Sequence, residues 1–198
     1  NLTPNDLIKK RYLSPEILAF LWMLIEDHKN IYFINGEHFL YSLSYFLPPH
    51  SKVLTNIENY IPNTYTNTIL FGITSNEDYA ILRNYQKQIL NGTIIASTDS
   101  INEINNTICY VNNNIITSIK ENGKELFAYK ENKFYFNMEN SDYIISRGNK
   151  AILNEEFKLK TRLISVLIKS NLSEENFKKT LSIYYENPVA VLKKAGVL

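Results

Sequence analysis

The stretch that most constrains this chain runs from Ser14 to Pro49, SPEILAFLWMLIEDHKNIYFINGEHFLYSLSYFLPP. Ser14 is a good N-cap and Pro15 suits the first helical position, where its missing N–H costs nothing. Ile17, Phe20, Leu21, Leu24 and Ile25 then fall on one helical face, which Trp22 and Met23 widen. The spacing predicts a helix buried on most sides. Ile31 to Ile34 is a continuous apolar run, the pattern of a strand covered on both faces. After Gly36, the residues Phe39, Leu40, Leu43 and Leu47 give a second helical stripe, ended by Pro48-Pro49. A buried helix, a buried strand and another helix within so short a span require layers of helix on sheet.

The rest of the chain continues in that mode. Lys52 to Thr55, Thr68 to Ile73 and Thr93 to Ser97 read as further strands. Asn76 to Leu90 reads as a helix stopped by Asn91-Gly92, and Ser100 to Asn106 as a short helix. After Thr107 the period changes to short runs broken by Asn, Gly and Glu-Asn turns, a local antiparallel meander with Asn122-Gly123 as its clearest turn. From Asn149 the reading is helical: Ala151 to Lys169, Ser173 to Glu186 and Pro188 to Lys194. The expected fold is α/β: a mainly parallel sheet with flanking helices, a meander over about 107–147, and a C-terminal helical segment. The expected organisation is a core over 1–148 and a helical segment over 149–198.

Composition removes several function classes. With 21 basic and 20 acidic residues among 198, the net charge is +1, which gives no bias toward nucleic acid. The single cysteine, Cys109, excludes an internal disulfide and a multi-cysteine zinc site. The longest apolar run, Ile17 to Ile25, is far short of the roughly 18 residues of a membrane span. The polar N-terminus is unlike a leader peptide, so the expectation is a soluble, cytoplasmic protein without membrane insertion.

TPNDLIKKRYLSPEILAFLWMLIEDHKNIYFINGE resembles the entry to the motor domain of the type II secretion, type IV pilus and archaellum ATPases, closest to the archaeal branch. Gly36-Glu37, the following helix, Pro48-Pro49 and the strand from Lys52 stand in the family's order. ILFGITSNEDYAILRNYQKQILNGTIIASTDSINEINN is similar to the run from Walker B through the histidine box. The last helices resemble the family's more weakly. The resemblance implies a shortened RecA-like core.

The departures fall on the chemistry. A P-loop needs G-x-x-x-x-G-K-[ST], whose backbone N–H groups cradle phosphate while the lysine neutralises it. Here Asn35, Gly36, Glu37 and His38 lead straight into the next helix. The acidic box is reduced to Glu58 beside amides, and the arginine-bearing segment after it is missing. Where Walker B would deliver a glutamate after Gly72 there is Ile73, and the histidine-box position falls at Ser97. These eight residues are remnant positions, with no catalytic group, metal or cofactor expected.

The resemblance therefore implies a non-hydrolysing scaffold, regulatory or interaction subunit. Its partner would be an intact motor ATPase, a pilus or secretion assembly protein, or another copy of itself. The alternatives are an unconventional nucleotide-binding protein or ATPase of this family, a stand-alone interaction module of a mobile element or virus, and an unrelated α/β domain. His28, His38 and His50 are irregularly spaced for a metal site, and Cys109 reads as a buried apolar residue. Glu58, Glu77, Asp78 and Asp99 read as solvated acids. The tyrosines of YSLSYF and LSIYY read as core or interface packing.

Overall fold

The computed structural model describes residues 1–55, 68–75, 77–78, 93–103, 106–137, 140–143 and 150–198. Helices α1 (Pro4–Lys9) and α2 (Pro15–Glu26) precede strand β1 (Ile31–Ile34), and α3 (Glu37–Leu43) runs on into a 3₁₀ turn at Ser44–Phe46. Strands β2 (Lys52–Leu54), β3 (Thr68–Ile73) and β4 (Thr93–Thr98) follow. Then come β5 (Thr107–Asn112), β6 (Ile115–Glu121), β7 (Lys124–Lys130) and β8 (Lys133–Phe136). Helices α4 (Lys150–Lys169), α5 (Glu174–Glu186) and α6 (Pro188–Lys194) end the chain.

The strands form one eight-stranded sheet in the order β2-β3-β4-β1-β5-β6-β7-β8. Pairing is parallel from β2 through β5 and antiparallel from β5 through β8. This is the mixed α/β architecture expected from the strand pattern. The central strands alternate between two buried faces. Ile31, Phe33, Ile69, Ile95 and Cys109 join the main core, while Tyr32, Leu70, Ile94 and Ala96 form a second cluster on the opposite face. Burial on both faces is why these runs are continuously apolar. The meander turns at Asn113-Asn114, Asn122-Gly123 and Glu131-Asn132 have positive φ at both residues, the geometry two-residue hairpins demand.

Several boundaries differ from expectation. The second helix starts at Glu37, and its end tightens into a 3₁₀ turn before Leu47, whose extended backbone leads into Pro48-Pro49. Residues 100–103 form no helix. The helix expected over 76–90 lies outside the described residues apart from Glu77 and Asp78. Helix α1 was unforeseen, although Thr3 and Asp6 cap each other's backbone N–H reciprocally, a signature present in TPND.

The main core joins α2 to the C-terminal helices. Trp22 is fully buried, with ring centroids 5.3 Å from Phe46 and 4.8 Å from Tyr184. Rings of this kind bury about 150–250 Å² each, roughly 4–6 kcal/mol of transfer free energy apiece before entropy. That outweighs any exposed ion pair, which contributes about 0–1 kcal/mol. Among the rings sits Lys160, only 2% exposed. Its ammonium is 2.9 Å from Glu26, 2.8 Å from Glu156, and 4.6 Å from the Trp22 ring centroid. Burial opposes its charge, but Glu26, Tyr184 and Glu156 outweigh burial and hold the ammonium above the usual lysine range. Burial lifts the Glu26 carboxyl above its usual range against the pull of Lys160.

Lys160→Met should therefore cost about 3 kcal/mol in urea unfolding at pH 7, because it strands the Glu26 charge. The folded-state Glu26 carboxyl titrates above its unfolded value, so its penalty exists only while it is ionised. The deficit of Lys160→Met should shrink as pH falls toward the ordinary carboxylate range. A deficit that grows with acid would contradict this account of the nest.

Candidate functional site

Strand β1 lies between β4 and β5. The chain leaves β1 through α3 for β2, at one edge of the parallel region, whereas from β4 it returns past β1 to β5 on the other side. Connections departing in opposite directions leave a crevice at the carboxyl ends of the strands, the usual ligand position in open α/β sheets. An open depression of about 840 Å³ lies there, bounded by the ends of β1, β3 and β4 and by the first turns of α3.

The depression gathers most of the residues singled out in the sequence. Asn35, Glu37, His38, Gly72 and Ser97 line it, together with Thr74, Thr98, Asp99 and Tyr41, which were not assigned to a site or, for Asp99, were read as surface. Ile73 does not belong: it is 3% exposed and packs in the second core cluster. The register shift between Phe71 and Ile73 at Gly72, φ +77°, turns the strand so that Gly72 faces the opening. Gly36 is buried behind the lining, and Glu58 lies outside the described residues. The signal for Thr98 and Asp99 was their place just after Ser97, at a strand's carboxyl end.

The β1–α3 joint governs the chemistry. Asn35 takes a left-handed conformation, φ +60°, and α3 begins two residues later with Gly36 as its N-cap. A Cβ at Gly36 would stand 2.7 Å from Phe33 Cβ and 2.9 Å from Val111 Cγ2, so the backbone approaches the sheet as only glycine allows. The Gly36 N–H donates to Ser97 Oγ at 3.3 Å. The acidic residue of the first turn is Glu37, which occupies the end of the helix dipole that favours negative charge.

His38 packs on Phe39, with ring centroids 4.3 Å apart, and edge-on to Tyr12 at 6.1 Å. Burial lowers its pKa, opposed by a hydrogen bond to the Asn114 backbone, so the ring stays neutral. Its Nε2 is buried without a partner. Of the other histidines, His28 follows α2 and His50 precedes β2, so the three stand on separate elements. Among the described residues no three His, Cys, Asp or Glu side chains gather as metal ligands. Burial raises the Cys109 thiol well above the ordinary range, which leaves it inert as a nucleophile at neutral pH. Among the described residues no helix is long and apolar enough to cross a membrane.

The two glycines of the site should respond differently to alanine. Gly36→Ala meets sheet side chains and should cost about 2–3 kcal/mol. Gly72→Ala faces open space and carries only left-handed backbone strain, about 1 kcal/mol. Equal losses in chemical unfolding would argue against the close approach at Gly36.

No family model matches the chain. A stretch of 58 residues is 41% identical to an uncharacterized protein of Methanocaldococcus jannaschii, covering 26% of this chain and 21% of that protein. The match thus spans about a fifth of that relative's length.

Proposed function

We propose that this chain is a non-hydrolysing relative of the type II secretion, type IV pilus and archaellum motor ATPases, built on a shortened RecA-like core and acting by binding a protein partner. The observation that carries this reading is the β1–α3 joint. The strand order puts a crevice where such a domain would hold nucleotide, yet Asn35 and Gly36 alone link strand to helix there. The Gly36 N–H is taken by Ser97, and the helix opens with a carboxylate where lysine and hydroxyl would be needed. Asp99 adds a second acidic group to the lining, and His38 supplies no positive charge. A triphosphate would meet repulsion in place of compensation. Its partner would be an intact motor ATPase, a pilus or secretion assembly protein, or another copy of this chain.

Calorimetry with ATP and Mg²⁺ should show no micromolar binding, and steady-state assays no phosphate release above buffer. Each missing stabilising group is worth a factor of about 10² to 10³ in rate, and several are missing together. Turnover that survives purification and disappears on Glu37→Ala would reverse the conclusion in favour of an unconventional ATPase. Co-purification with a motor ATPase or pilus assembly protein would identify the partner. Binding that requires neither would favour a stand-alone module.

A further inference from the structure

Three asparagines in this chain are followed by glycine: Asn35, Asn91 and Asn122. Such a pair is open to one spontaneous reaction, because glycine has no side chain to shield its nitrogen from the preceding amide. Asn91 lies outside the described residues. The other two sit in opposite surroundings. Both are left-handed, φ +60° at Asn35 and φ +50° at Asn122, so the difference between them lies in the nitrogen that follows.

Gly36 is buried, its backbone lies against Phe33 and Val111, and its N–H donates to Ser97 Oγ at 3.3 Å. Gly123 stands at the tip of the β6–β7 hairpin with φ +76°. It is exposed, as is Asn122, and among the described residues its N–H has no backbone acceptor. Asn122 Nδ2 donates to Asp142 Oδ2 at 3.0 Å. That bond engages the amide nitrogen and not the carbon that would be attacked.

We propose that Asn122 is a site of spontaneous deamidation, and that the bond from Gly36 to Ser97 protects Asn35 from the same reaction. The Gly123 nitrogen attacks the Asn122 amide carbon, forming one C–N bond as the old one breaks. The proton of the attacking nitrogen leaves with the amide as ammonia, and a succinimide ring remains. Water then adds across either ring C–N bond and gives aspartate or isoaspartate. At Asn35 the same ring would consume the N–H that Ser97 accepts and would have to close against the sheet.

The product carries a carboxylate where Asp142 now accepts a hydrogen bond, so two like charges face each other. The isoaspartate form also adds a methylene to a turn of two residues. The β6–β7 turn thereby loses one of its ties to residues 140–143. Glu121 keeps its own, from Ser141 Oγ at 2.6 Å and the Tyr143 N–H at 2.7 Å.

The test is to age the full chain in mildly alkaline buffer, native and in urea, with peptide mapping and methyl labelling specific for isoaspartate. In urea the two asparagines should convert alike. In the native chain Asn122 should convert within about tenfold of its rate in urea, the allowance for one net hydrogen bond to the departing nitrogen. Asn35 should be slower again by about tenfold or more. Ser97→Ala should raise conversion at Asn35 about fivefold, with Asn122 in the same molecule as the reference. Equal native rates at the two positions would overturn the proposal, as would an Asn122 that stays intact when native and converts in urea. Conversion at Asn35 that Ser97→Ala leaves unchanged would overturn the protective role of that bond.

Discussion

Phe33 and Val111 leave no room for a side chain at Gly36, and much of the molecule follows from that contact. It brings the chain back against the sheet directly after β1, so α3 starts two residues past the strand and lies close over its carboxyl end. The approach fixes the position of Glu37 and His38, hands the Gly36 N–H to Ser97 on the neighbouring strand, and leaves Asn35 in the left-handed region. A longer loop would allow backbone N–H groups to converge on an anion. A joint of two residues, with the Gly36 N–H bonded to Ser97, supplies fewer such groups.

The second determinant is the aromatic layer under the sheet. Trp22, Phe46, Phe177, Tyr184 and Tyr185 come from three parts of the chain and interlock through ring contacts, the Trp22–Tyr185 hydrogen bond and the Lys160 nest. The rings supply the free energy, and the polar groups fix which arrangement of rings is adopted. Lys160 illustrates the division. Its ammonium would be intolerable in that layer without Glu26 and Glu156, and those carboxylates accept it only in one docking of α4 on α2.

The strands were legible in the sequence because residues such as Ile31, Phe33, Ile94 and Ile95 are covered on both faces, and double burial leaves an uninterrupted apolar run. The meander was legible because its turns need positive φ, which Asn and Gly announce. What escaped was set by distant partners. Lys160 was not singled out, although it falls seven residues after Leu153 and three before Leu163, on the buried stripe of α4. Tyr41 and Tyr45 were read as packing residues, which they are. Nothing local to YSLSYF foretold that Glu174 and Lys178 would meet them. Likewise Ile73 stands beside Gly72 in sequence, but the shift in register at Gly72 sends the two to opposite surroundings.

The depression itself has a topological origin. Any sheet in which the first strand sits between strands whose connections run opposite ways leaves a gap above their carboxyl ends, whatever side chains line it. Its presence beside so short a β1–α3 joint is therefore a property of the strand order and independent of ligand chemistry. The side chains decide the chemistry, and here they are carboxylates, hydroxyls, two amides, two leucines and an imidazole whose pKa burial lowers. Among the described residues this lining carries no lysine or arginine to offset a phosphate's desolvation. The crevice is held by the whole core, whereas its charge rests on a few residues at its rim.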